Sequence, residues 1–217
     1  MTEAVDGHEF QYSTARHQAE TAVSGMWLFL ATEMMFFGPL FLAWIYCRHA
    51  GPTAFDAGAK QTDLFIGTLN TALLITSSLA YSFGVFFIEA GRRRAMIQCL
   101  IIAWLLGGAF MLLKFAVEWP LDFEKGLFPG ADFALAPPDR NGAQLFFVFY
   151  FFTTAIHGLH VIVGLGLIAW VVLRAREFTA SRHTPILVVG LCWSFVDMVW
   201  IILYPLNPLI YLIGRSA

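Results

Sequence analysis

The sequence predicts an all-α integral membrane protein, built as a bundle of five transmembrane helices. Of its 217 residues, 59% are apolar and only 13% are charged, and the mean hydropathy is +0.69. A typical soluble domain is about 45–50% apolar and about 25% charged. A soluble chain of this length could not bury so much apolar surface, because much of its surface must stay outside. A lipid bilayer is therefore the predicted environment.

Five stretches are long enough to cross a bilayer, which takes about 20 largely apolar residues. The polar residues 1–21 precede them and are expected to form a cytoplasmic tail. Residues 22–217 show no shift in composition that would mark a second domain, so they are expected to form one helical bundle. The predicted spans cover residues 22–48, 63–89, 95–118, 142–173 and 184–213.

The connections between the spans predict the orientation in the membrane. Residues 49–62 contain glycine and proline and are expected to be a short loop, while residues 119–141 form one long loop with prolines as helix breakers. Residues 90–94 and 174–183 are short and rich in arginine. Because such loops favour the cytoplasm, the N-terminus is predicted to be cytoplasmic and the C-terminus to lie outside.

Charge, cysteines and motifs argue against several classes of function. The formal net charge of −2 gives no support for a nucleic-acid partner. The 3 cysteines lie in apolar segments without a CxxC pair, so neither a disulfide framework nor a zinc site is indicated. The chain has no GxSxG element and no phosphate-binding loop, and no catalytic residue is predicted.

Four ionisable side chains lie near the middle of predicted spans. Because placing an ionisable group inside a membrane costs free energy, these residues are candidates for function. Glu33 lies in the first span, His157 and His160 in the fourth, and Asp197 in the fifth, four residues after Trp193. At a rise of about 1.5 Å per residue, the four lie about 16–24 Å from the cytoplasmic ends of their helices. The two histidines are three residues apart and share a side of the helix. We therefore predict that all four face the interior at one depth, where they could meet.

Two interpretations of these residues stay open. They could simply bond to one another and hold the helices together, since lipid provides no hydrophobic drive for helix association. Alternatively, Glu33 could exchange protons or contact lipid, because desolvation favours the protonated carboxyl. No metal or haem site is predicted, because His157 and His160 share one helix face and no acidic metal motif accompanies them. Lys114 and Glu118, at i, i+4 near the outer end of the third span, predict a structural ion pair.

Four segments carry the most specific patterns of the chain: MWLFLATEMMFFGPLF (26–41), TLNTALLITSSL (68–79), FYFFTTAIHGLHVIVGLGL (149–167) and WSFVDMVWIILYPL (193–206). The third contains the element HGLHV and the fourth the element FVDMVW. Together the segments resemble subunit III of the haem–copper oxidases, in its short bacterial five-helix form, and the similarity extends from about residue 22 to the end of the chain.

This resemblance implies a function without redox chemistry in this chain. It implies that the protein binds no haem or copper itself, that it packs on a subunit I carrying those cofactors, and that it associates with further oxidase subunits. It also implies phospholipid bound between the helices, support of proton uptake and lasting activity, and a place in the bacterial cytoplasmic membrane. Residues that match the family's lipid- and proton-related positions are Glu33, His157, His160, Trp193 and Asp197, and its ion pair corresponds to Lys114 and Glu118.

Two departures and three alternatives accompany the resemblance. After YPL the family tends to continue into a leucine-rich end, where this chain has Asn207 and Pro208. The family usually has a histidine after the tryptophan of the last helix, where this chain has Ser194, which removes one titratable group near Glu33. The same fold could serve as an accessory subunit of a quinol oxidase or a nitric oxide reductase. A different class would be a small stand-alone transporter with Glu33 and Asp197 as a proton relay. A membrane-anchored cytochrome is disfavoured by the placement of the histidines.

Overall fold

The protein was analysed as a computed structural model that describes residues 12–130 and 133–205. Five of its helices are long and apolar enough to cross a membrane, which confirms the predicted all-α membrane bundle. The helices are α1 (Ala15–Ala50), α2 (Pro52–Ala59), α3 (Leu64–Glu89), α4 (Arg93–Leu112), a π-helical segment (Leu113–Glu118), α5 (Trp119–Glu124), α6 (Arg140–Leu173) and α7 (Thr184–Tyr204).

Local signals fix several helix ends. The hydroxyl of Thr14 accepts a hydrogen bond from the backbone N–H of His17, and α1 therefore begins at Ala15 rather than at the predicted residue 22. The carboxylate of Asp63 accepts from two N–H groups and starts α3 in the same way. After α3 the chain turns at Gly91, whose φ of 72° is a left-handed conformation that glycine adopts readily.

Two predicted loops are partly helical. Residues 49–62 contain α2, because Pro52 suits the first turn of a helix and Phe55 is buried against Phe146 of α6 at a ring distance of 5.3 Å. The third span continues past residue 118 to Glu124. Pro120 does not stop it, because the preceding turn is π-helical and the proline falls in the first turn of α5.

The bundle has a central and a peripheral helix. The apolar window of α7 is 56% buried inside the chain, whereas that of α1 is only 17% buried. α7 contacts α1, α3 and α6, and most of its buried side chains belong to the main apolar core together with those of α3, α4 and α6. Phe195 and Val199 pack instead with Leu30 and Phe37 of α1. The helix that carries Glu33 therefore lies at the edge of the bundle. The predicted end of the fifth span, at residue 213, lies outside the described residues.

Candidate functional site

The structure brings Glu33 of α1 into contact with His160 of α6. Oε2 of Glu33 lies 3.0 Å from Nε2 of His160, and Nδ1 of the same ring lies 2.8 Å from the carbonyl oxygen of Ile156. A carbonyl only accepts hydrogen bonds, so Nδ1 must carry a hydrogen. Nε2 then either accepts from a protonated Glu33 or, as an imidazolium, donates to the carboxylate. Both arrangements place one proton between the two side chains.

This pair lies at the edge of the bundle rather than at its centre. The side chains of Glu33 and His160 are 18% and 25% exposed, and the ring of Phe37 covers the imidazole at a centroid distance of 5.3 Å. The next face of α1 borders an apolar cleft between α1 and α7. The cleft has a volume of about 510 Å³, and its lining includes Trp27, Leu30, Met34, Leu191, Phe195 and Met198.

His157 does not join this pair. It is 1% exposed and lies between Phe110 of α4, at a ring distance of 5.7 Å, and Trp200 of α7, at 5.1 Å. Neither ring nitrogen has a hydrogen-bond partner in the described part of the chain. The expectation that all four mid-membrane groups could meet is therefore wrong for this histidine. Three residues along a helix fall about 60° short of a full turn, so His157 and His160 lie on one side of α6 but point to different neighbours.

Asp197 and Trp193 occupy a third environment, on the buried face of α7. The carboxyl of Asp197 is 3% exposed and does not reach Glu33, so this part of the expected meeting is also wrong. Neither of its carboxyl oxygens has a hydrogen-bond partner within the described residues, and Ser78 of α3 is a polar neighbour. The indole of Trp193 is fully buried over Gly107 and Gly164, where a Cβ atom would lie 2.8 Å from the ring in both cases.

Lys114 and Glu118 lie in the π-helical segment and form a buried ion pair, with Nζ 2.7 Å from Oε1. The hydroxyl of Tyr150 accepts from Nζ at 2.9 Å and contacts both Oε1 of Glu118, at 2.7 Å, and Oδ2 of Asp122, at 3.0 Å. Each of the four residues is at most 5% exposed. Lys114 also lies 5.3 Å from the ring centre of Trp200. The predicted pair is thus half of a four-residue cluster.

Sequence reasoning missed Asp122 and Tyr150 as members of this cluster. Asp122 follows Glu118 by four residues, as Glu118 follows Lys114, so one helical face could have been extended to it. Pro120 conceals that signal, because a proline after an apolar helical pattern indicates the end of the helix. Tyr150 carried no signal of its own in an apolar, aromatic-rich segment.

The described residues contain no group of three His, Cys, Asp or Glu side chains that could hold a metal ion. The described residues contain instead hydrogen-bonded carboxyl, imidazole, ammonium and phenol groups within an apolar bundle. Such groups hold and exchange protons and fix helix positions. Fold and site together define a multi-pass membrane protein with ionisable groups buried between its helices.

Comparison with known proteins identifies the family. The family model of cytochrome c oxidase subunit III matches residues 7–214, so the chain belongs to the subunit III family of the haem–copper oxidases, which confirms the resemblance read from the sequence. Cytochrome c oxidase subunit 3 of Thermostichus vulcanus is 30% identical over 204 residues, which cover 93% of this chain and 92% of the relative.

Longer relatives also match. Cytochrome c oxidase subunit 3 of Oncorhynchus mykiss is 34% identical over 188 residues, covering 83% of this chain and 66% of the relative. A heme-copper oxidase subunit I+III of Aeropyrum pernix is 26% identical over 198 residues, covering 86% of this chain but 22% of the relative. The chain therefore spans about two thirds of the animal protein and about a fifth of the fused one.

Proposed function

We propose that the chain is a non-redox subunit of a bacterial cytochrome c oxidase, which packs on subunit I and supports proton uptake and sustained turnover. The relative from Aeropyrum pernix, in which subunits I and III are one chain, supports contact with subunit I. The described residues gather no set of metal-binding side chains, and we assign haem and copper to the partner subunits. The Glu33–His160 pair carries the proton-related part of the proposal.

The geometry of that pair suits proton exchange rather than catalysis. One proton is held between a carboxyl and an imidazole, both of which keep partial exposure at the edge of the bundle. An acid and a base joined by one hydrogen bond can pass on and recover a proton with little rearrangement. In the assembled complex such a pair would buffer protons beside the subunit that consumes them.

The α1–α7 cleft supports the lipid-binding part of the proposal. Its walls are largely apolar, with Ser194 as a polar member, and they include Met34, the residue that follows Glu33. An acyl chain would fill this space against largely apolar walls. Left empty, the space would be a poorly packed void between two helices. We propose that a membrane phospholipid occupies it and that its loss loosens the contact between α1 and α7.

We also propose that the N-terminus is cytoplasmic and the C-terminus periplasmic. This orientation is inferred from the arginine-rich turn between α3 and α4 and from the short basic loop between α6 and α7. Reporter fusions at residues 5 and 215 should report opposite sides of the membrane, with residue 5 inside. The same side for both would contradict a bundle of five spans.

The assembly part of the proposal is tested by purification. The chain, tagged and purified in mild detergent from its own membranes, should bring down a larger subunit together with haem and copper, visible in the optical spectrum. A colourless, monodisperse protein without partners would contradict the proposal and would favour the transporter interpretation.

The role of Glu33 is tested in the purified complex. Glu33→Gln retains shape and hydrogen bonding but removes the exchangeable proton. The complex should assemble with a normal haem-to-protein ratio and begin turnover at the normal rate, and then lose activity faster than the wild type. Glu20→Gln, at an exposed position of the same helix, is the matched control. Immediate and complete loss of oxygen reduction with full haem content would contradict the supporting role.

A further inference from the structure

The hydroxyl of Tyr150 has more polar neighbours than its own hydrogen can satisfy. It lies 2.9 Å from Nζ of Lys114, 2.7 Å from Oε1 of Glu118 and 3.0 Å from Oδ2 of Asp122. An ammonium group only donates hydrogen bonds, and an ionised carboxylate only accepts them. The phenol therefore accepts from Lys114 and has a single hydrogen to offer to two carboxyl groups.

Counting hydrogens shows that one is missing if both carboxyls are ionised. In that case one of the two short oxygen–oxygen contacts would hold no hydrogen, and two electron-rich oxygens would face each other at hydrogen-bond distance. A proton on one of the carboxyls removes this conflict. That carboxylic acid donates to the phenol oxygen, and the phenol donates to the remaining carboxylate, so every short contact has its hydrogen.

The charge count leads to the same result. One ammonium and two carboxylates, all at most 5% exposed, would leave a net charge of −1 in the apolar interior, which is costly. One added proton makes the cluster neutral. Glu118 is the group that stays ionised, since its Oε1 receives the ammonium of Lys114 at 2.7 Å. The proton consequently belongs on Asp122, which contacts Tyr150 and makes no ion pair within 4.0 Å in the described residues.

A small cavity supplies an independent indication that the cluster is a binding site. Oε2 of Glu118 is buried and has no hydrogen-bond partner in the described part of the chain. Glu118, Lys114 and Tyr150 border a cavity of about 20 Å³ that reaches Thr62 and Asp63 at the start of α3. This volume suffices for one water molecule. A water molecule in this cavity would lie beside Glu118, whose Oε2 has no other hydrogen-bond partner among the described residues.

We propose that Lys114, Glu118, Tyr150 and Asp122 form a buried proton-binding site, in which the carboxyl of Asp122 holds the proton. The proton comes from water, and Asp122 donates it to the phenol oxygen while the phenol donates to Glu118. The other ionisable groups near the cluster, on the helices and turns around it, are Asp63, Lys125, His157 and Tyr204.

Infrared spectroscopy of the purified full chain tests the site, alone or in its complex. The spectrum of the wild type minus that of Asp122→Asn should show the C=O stretch of a carboxylic acid, with no carboxylate bands lost. The matched control is Glu124→Gln, two residues further along and exposed, which should lose carboxylate bands only. Loss of carboxylate bands in Asp122→Asn would overturn the proposal. The readout needs neither haem nor a partner subunit, so it is independent of the proposed function.

A second variant keeps the proposal testable if Asp122→Asn does not fold. Tyr150→Phe removes the acceptor of the Asp122 proton but leaves both carboxyls in place. The carboxylic acid C=O band should then move to higher frequency, because its hydrogen bond is lost. A spectrum in which only carboxylate bands change would show that Asp122 is ionised and would overturn the proposal.

Discussion

His160 and Glu33 share one proton across a contact of 3.0 Å between two helices that otherwise touch little. The other ring nitrogen of His160 is fixed by the carbonyl of Ile156, one turn earlier on the same helix. The backbone of α6 thus determines which nitrogen faces α1. Because the pair is joined by a single proton, changes on either side chain should act on the same property of the protein.

The first prediction is that Glu33 and His160 are not independent. Glu33→Gln and His160→Gln should each accelerate the loss of activity during turnover, and the double variant should be little worse than either single one. The coupling free energy should be on the order of 0.5–3 kcal/mol, as for residues in direct contact. A double-mutant cycle on the unfolding of the solubilised complex measures it. Strict additivity would mean that the two side chains act separately.

The second prediction concerns the cost of breaking the buried ion pair. Lys114→Met leaves the carboxylate of Glu118 without its partner and should destabilise the protein by about 3–5 kcal/mol. The double variant Lys114→Met with Glu118→Gln should recover part of that loss, because no uncompensated charge remains. Thermal unfolding in detergent measures both. An unchanged midpoint for Lys114→Met would contradict the buried pair.

The third prediction tests how the Trp193 ring packs against two glycines. A Cβ atom at Gly107 or Gly164 would lie 2.8 Å from the indole, so Gly107→Ala and Gly164→Ala should each cost about 1–3 kcal/mol through overpacking. Gly108→Ala is the matched control, because no described atom lies within 4 Å of its added Cβ. It should leave the unfolding temperature unchanged or raise it. Equal effects at Gly107 and Gly108 would contradict the packing described here.

The fourth prediction separates the two histidines of α6. His157 has only ring contacts in the described residues, so His157→Phe should cost less than about 1.5 kcal/mol, whereas His157→Ala leaves a cavity and should cost about 3–5 kcal/mol. Neither variant should accelerate the loss of activity during turnover, which is the effect expected of His160→Gln. The measurements are thermal unfolding and a progress curve of oxygen consumption. A turnover defect in His157→Phe would mean that this ring also handles protons.

Much of the architecture follows from properties that are local in the chain. Five apolar stretches of sufficient length predicted five spans, and the structure confirms them, because length and apolar composition need no information about neighbouring helices. Segments such as HGLHV and FVDMVW predicted the family, which the comparisons confirm. The proximity of Lys114 and Glu118 also followed from sequence, since their spacing is that of one helical turn.

The tertiary structure alone decided which polar groups meet. Equal depth in the membrane suggested one meeting point for Glu33, His157, His160 and Asp197, yet only Glu33 and His160 touch. Depth follows from counting residues, whereas the direction of a side chain depends on how each helix is rotated against its neighbours. The same rotation places Tyr150 beside Lys114. These partners come from distant parts of the chain, and packing brings them together.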